Sequence, residues 1–253
     1  MVSMKSMVRS LGHRVGVDVT RWRPDQLYGD FDEQLVKTIR SVEAFTMTSP
    51  ERIEALVRAV RWIVQAGVPG DVVECGVWRG GSMMAAAQTL LEEGDTARHL
   101  WLFDTFEGMP QPGSHDRRFN AQTPHEILAD QIGPHATMSD WCRAGLQEVQ
   151  RNFARVGYPA DRAHFVVGMV EETIPAQAPD TIALLRLDTD WYESTRHELE
   201  HLYQRVAPGG IVIIDDYGTW TGARKAVDEF MSSLPRPVLM HRIDMTGRLM
   251  QVH

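Results

Sequence analysis

Apolar positions along this chain recur at two alternating periods, one helical and one extended. Between Asp32 and Val42, the residues Leu35, Val36, Ile39 and Val42 fall at helical spacing. Ser49 can cap a second helix with Pro50 at its first position, and Arg52 to Gln65 carries the periodic face. Gly67, Pro69 and Gly70 end it, and Asp71 to Gly76 reads as a short strand. Further helices are predicted over Ser82–Leu91, Trp141–Val156, Tyr192–Val206 and Gly222–Ser232, with a short helical piece at Glu171–Thr173. Strands are predicted over His99–Phe103, Ala163–Val167, Ile182–Leu187 and Ile211–Ile214, the last entered through a Pro208-Gly209-Gly210 turn. Val238–Ile243 and Arg248–Val252 read as a closing hairpin.

Alternating strands and helices imply an α/β fold, a mostly parallel sheet with helices on both faces. Residues 1–45 form an expected N-terminal helical arm, and 46–253 one domain. The stretch from 108 to about 140 is rich in Gly, Pro, His and Asp and weakly periodic, which predicts an active-site lid.

Composition narrows the partners. A formal charge of -8 disfavours nucleic acid and anionic membranes, and no apolar run is long enough to span a bilayer. The basic N-terminus lacks the continuous apolar core of a signal peptide. Two cysteines, Cys75 and Cys142, make neither a zinc spacing nor a redox pair, which fits a reducing cytoplasm.

In sheets of this kind ligands bind beyond the carboxyl ends of the strands. The ends here carry Glu74-Cys75-Gly76, Asp104, Gly168, Asp188 and Asp215-Asp216, so acidic residues gather along one edge. The loop Glu74-Cys75-Gly76-Val77-Trp78-Arg79-Gly80-Gly81-Ser82 allows close backbone approach to a ligand, but it is not a G-x-G-x-x-G phosphate cradle. A glutamate before its first glycine suits an amino group or a sulfonium better than a phosphate. Asp104 is placed to accept hydrogen bonds from two ribose hydroxyls. Asp188-Thr189-Asp190 and Asp215-Asp216 would repel one another if all were ionised in a cleft. A hard divalent cation, magnesium or calcium, relieves that repulsion with oxygen ligands alone. A nicotinamide-dependent dehydrogenase would share the early strand and acid but gives no role to Asp215-Asp216. A non-catalytic binding module would have no need of the four aspartates.

The runs ECGVWRGGS, FDTFEGMP, NFARVGYP, LLRLDTDWYEST, RVAPGG and IIDDYGTWTGARKAVDEF resemble the macrocin O-methyltransferase family over roughly residues 42 to 253. The resemblance implies a Rossmann-like class I methyltransferase fold with an N-terminal arm and a lid. It implies S-adenosylmethionine as methyl donor, magnesium, and a sugar hydroxyl of a glycosylated, macrolide-like natural product as acceptor. A nucleotide-activated sugar or a phenolic ring comes next as acceptor. Carried over, the pattern makes Asp188, Asp215 and Asp216 the metal ligands and Asp190 the general base. Glu74, Gly76, Val77, Trp78, Gly80 and Ser82 would hold the methionine part of the donor, with Asp104 on its ribose. Thr46 and Met47 would lie over it, and Trp141 would meet its adenine. Trp191, Tyr217 and Trp220 are either stacking surfaces for the acceptor or ordinary core. The arm predicts a homo-oligomer.

Overall fold

The computed structural model describes residues 29–118, 138–139 and 142–253. Among them the chain runs α1 (Glu33–Val42), α2 (Pro50–Gln65), β1 (Asp71–Cys75), α3 (Gly81–Glu92), β2 (Leu100–Asp104), β3 (Met109–Pro110) and β4 (Met138–Ser139). It continues with α4 (Leu146–Ala154), β5 (Ala163–Val167), α5 (Val170–Thr173), β6 (Ile182–Leu187), α6 (Tyr192–Leu202), β7 (Val206–Ile214), α7 (Thr221–Ser233), β8 (Met240–Arg242) and β9 (Arg248–Gln251). Much of the expected lid (residues 119–137 and 140) and Trp141 lie outside the described residues.

A seven-stranded sheet is ordered β5-β2-β1-β6-β7-β9-β8 among these residues. Pairing is parallel from β5 through β7, and β9 runs antiparallel to both β7 and β8. The chain leaves β1 toward β2 and β5, then returns to lay β6 on the other side of β1. That reversal opens a crevice above the carboxyl ends of β1 and β6. The strand pleat divides the core: Val72, Leu100 and Leu102 pack under α1, α2 and α3, while Val73, Cys75, Phe103 and Leu185 pack under α6 and α7.

Local chemistry sets the starts of the first two helices. The Asp32 carboxylate caps α1 at the Leu35 N–H (2.7 Å), and the Ser49 hydroxyl caps α2 at the Arg52 N–H (3.2 Å). Leu35, Ile39 and Val42 of α1 are buried in the same core as α2 and α3, so this part of the arm is built into the fold.

Three predicted boundaries move. The helix expected from Trp141 starts at Leu146, because Cys142 has a left-handed backbone (φ 56°) that a right-handed helix cannot pass through. The helix expected to reach Val206 ends at Leu202 and tightens into a 3-10 turn over Tyr203–Arg205. Pro208-Gly209-Gly210 is a bulge within β7, where the pairing jumps from Ile182↔Val206 to Leu184↔Ile211. The Trp62 indole N–H on α2 fastens that bulge at the Gly209 carbonyl (2.9 Å).

Candidate active site

A cavity of about 330 Å³ occupies the crevice. Gly76, Val77, Trp78, Ser82, Asp104, Thr46 and Met47 line it on one side, and Asp188, Asp190, Asp215 and Asp216 line it on the other. Of the described candidates, Glu74 and Gly80 are absent from its lining. Gly80 sits behind the loop as the left-handed residue that starts α3. Glu74 lies beneath the floor, fully buried, with its carboxylate turned to Arg186. That geometry does not give it the expected grip on the donor.

The glycine-loop side is shaped mainly by backbone. Gly76 has φ +82°, and a Cβ there would stand 2.0 Å from the Asp188 carbonyl oxygen. Only glycine lets the first loop touch the loop after β6. At Gly81 a Cβ would come within 2.6 Å of the Phe45 oxygen, which accepts the Gly81 N–H at 2.9 Å. The Phe45–Thr48 segment is thereby drawn over the cavity. Asp104 organises both loops: its Oδ2 accepts the Val77 and Trp78 N–H groups (2.7 and 3.0 Å), and its Oδ1 accepts the Phe106 N–H (2.7 Å). Trp78 and Phe106, thus held, both have positive φ (46° and 54°). Burial raises the Asp104 carboxyl above its ordinary value, against those three backbone donors.

The opposite side is made of charge. One ligand atom from each of Asp188, Asp215 and Asp216 lies within 4.8 Å of the others. Burial, then the Asp188 charge, pushes Asp190 up to about 7, opposed by its hydrogen bonds with Asp216 and the Trp220 indole. The Trp220 bond is 2.7 Å at Oδ1. Burial, then the Asp190 charge, drives Asp216 well above the ordinary carboxylate range. Asp216 Oδ2 is buried without a hydrogen-bond partner. An oxygen-only cluster with an orphaned buried oxygen fits a hard divalent cation.

Sequence reading missed Arg186, Arg52, Thr48, Asp116 and Glu198. Arg186 Nη1 donates to Glu74 Oε1 (2.6 Å) and Asp188 Oδ2 (2.7 Å), and its Nη2 donates to Asp215 Oδ1 (2.5 Å) and Thr48 Oγ1 (3.0 Å). Burial raises Glu74 to about 8, against the pull of Arg186. Arg52 is ion-paired with the far oxygen of Asp215 and with Asp244. Glu198, buried, accepts the Thr189 hydroxyl (3.2 Å) behind the Asp188–Asp190 turn. Asp116 ties the start of the expected lid to α6, accepting the Tyr192 and Gly113 N–H groups (2.9 and 2.7 Å). The one available signal was Arg186 itself, a charge inside the apolar run Ile182–Leu187. Trp191 and Trp220 are buried and packed edge to face (4.9 Å), while the Tyr217 hydroxyl is turned to Asp228 (2.7 Å) away from the cavity.

Comparison with known proteins then decides the class. The sequence profile described as macrocin-O-methyltransferase (TylF) matches residues 29–251. The chain belongs to the macrocin-O-methyltransferase family. It is 37% identical over 222 residues to the 8-demethyl-8-(2,3-dimethoxy-alpha-L-rhamnosyl)-tetracenomycin-C 4'-O-methyltransferase of Streptomyces olivaceus, covering 86% of this chain and 79% of that enzyme. It is 36% identical to the mycinamicin III 3''-O-methyltransferase of Micromonospora griseorubida, covering 74% and 70%. The solved structure of the O-methyltransferase NovP superposes with a TM-score of 0.70 at 32% identity, covering 82% of each chain. The protein is therefore an O-methyltransferase with the class I fold that binds S-adenosylmethionine, as the sequence reading expected. No helix among the described residues is long and apolar enough to cross a membrane.

Proposed function

We propose that this methyltransferase transfers a methyl group from S-adenosylmethionine to a sugar hydroxyl of a glycosylated natural product, with a magnesium ion at Asp188, Asp215 and Asp216. The observation that carries this reading is the meeting, in one cavity, of those three carboxylates and Asp190. The names of the relatives support a sugar-bearing acceptor.

An alcohol hydroxyl is a poor nucleophile at neutral pH. A divalent ion bound there would supply Lewis acidity, lowering the pKa of the acceptor hydroxyl. Asp190, raised toward neutrality by burial, is suited to take the proton as the acceptor oxygen forms its bond to the methyl carbon and the carbon–sulfur bond breaks. Trp220 fixes the orientation of that carboxylate through its N–H. The glycine loop, Asp104 and the Phe45–Thr48 segment would hold S-adenosylmethionine, whose product, S-adenosylhomocysteine, leaves afterwards. Orientation of this kind supplies up to about 7–11 kcal/mol of the barrier in favourable cases. We place the enzyme in the cytoplasm, since Cys75 and Cys142 are both free thiols. We further propose that it works as a homo-oligomer through the N-terminal arm.

The test is calorimetric titration of S-adenosylhomocysteine, followed by turnover of glycosylated macrolides after chelation and after magnesium is restored. Donor binding, with turnover lost on chelation and recovered with magnesium, supports the reading. Full turnover in chelated protein removes the metal.

A further inference from the structure

Arg186 is 3% exposed and sits on β6, the strand between β1 and β7. Its register partner on β1 is Glu74, and Asp188 lies two residues further along, on the same face of the pleat. One guanidinium therefore holds carboxylates from three adjacent strands, plus Thr48 from the segment over the cavity. It takes one oxygen each from Asp188 and Asp215. A planar fork with fixed donors sets carboxylate orientation in a way that a lysine ammonium does not.

We propose that Arg186 is the positioning residue of the divalent-cation site: it orients Asp188 and Asp215 before the ion arrives, with Glu74 as its anchor rather than as a donor contact. The inference rests on the metal reading above. Without the guanidinium, the Asp188 and Asp215 carboxylates on neighbouring strands would repel and turn apart. With it, the Asp188 and Asp215 side chains keep one geometry, and the ion binds a preformed arrangement. Glu74 shares Nη1 with Asp188 and so fixes the fork from β1, and its second oxygen makes no hydrogen bond.

The test is calorimetric titration of Mg²⁺, and separately of S-adenosylhomocysteine, into the full-length protein. Arg186→Lys keeps the charge and loses the fork, and it should weaken Mg²⁺ binding by about 10- to 100-fold. Glu74→Met should weaken Mg²⁺ severalfold and leave S-adenosylhomocysteine affinity within about twofold, while Glu74→Gln, which still offers Nη1 an acceptor, should restore Mg²⁺ affinity. The Glu74 pair keeps the question open to measurement if Arg186→Lys does not fold. Wild-type Mg²⁺ affinity in Arg186→Lys would reduce the arginine to a bare charge and overturn the proposal. So would a Glu74→Met variant that loses S-adenosylhomocysteine affinity and keeps Mg²⁺, since Glu74 would then be a donor contact. Wild-type protein that binds S-adenosylhomocysteine but no Mg²⁺ would remove the metal reading and this inference with it.

Discussion

Around Gly76 the cavity wall is backbone, whereas around Asp188 it is side-chain charge. The first side works by closeness: a glycine at φ +82° meets a carbonyl, and one carboxylate, Asp104, gathers three amide groups. The second works by balance, with two guanidinium groups set among five carboxylates, Glu74, Asp188, Asp190, Asp215 and Asp216. The glycine-loop side should therefore fail through shape, and the carboxylate side through charge or a lost hydrogen bond with the fold intact.

The largest effect is expected at Gly76. A methyl group there meets the Asp188 carbonyl and forces a left-handed alanine, so Gly76→Ala should cost at least about 4 kcal/mol by urea unfolding. A variant as stable as wild type would mean that the two loops can separate freely. Next comes Asp190→Asn, which keeps shape and removes the base. Its kcat should fall by about 10²- to 10⁴-fold while S-adenosylhomocysteine affinity and melting temperature stay near wild type. Equal turnover would reassign the proton to another group.

Trp220→Phe sharpens the same side. It removes the N–H that donates to Asp190, a bond worth about 1.5–3 kcal/mol when the acceptor is charged, so kcat should drop roughly tenfold or more. Because that bond lowers the Asp190 pKa, its loss should also move the acid limb of the rate profile to higher pH. The smallest effect is expected at Asp244. Burial would raise its carboxyl, but the Gly247 and Thr246 N–H groups, the Ser49 hydroxyl and Arg52 outweigh burial and hold it at about 2. A depressed carboxylate stabilises above its unfolded pKa of about 3.9, and that contribution is lost as pH falls through about 2. Asp244→Asn should cost on the order of 1 kcal/mol at pH 5 to 7. Urea midpoints of variant and wild type should converge toward pH 2, and a gap that widens on acidification would reverse the assignment.

Much of this division was legible from residue order. Strand runs that end in Asp104, Asp188 and Asp215-Asp216 placed the acids at one sheet edge, because the sheet is parallel and its carboxyl ends coincide. The Ser49-Pro50 start of α2 was equally local. Glu74 was not legible: an acid before a glycine reads the same whether it faces a ligand or an arginine on the neighbouring strand. Which of these holds depends on Arg186 arriving from β6, 112 residues later. Asp116 was hidden for the same reason, since nothing near it in sequence reveals that Tyr192 will need an acceptor. The start of α4 was misplaced because periodicity is blind to a single left-handed residue such as Cys142.

The contact between Gly76 and Asp188 has a consequence for recombining this scaffold with its relatives. Two loops separated by more than a hundred residues meet with no room for a side chain between them, so they form one inherited unit. Chimeras with a crossover between residues 76 and 188 join loops that were not fitted to each other. Donors that supply both loops together leave the seam intact, and acceptor specificity is then exchanged most safely outside that pair.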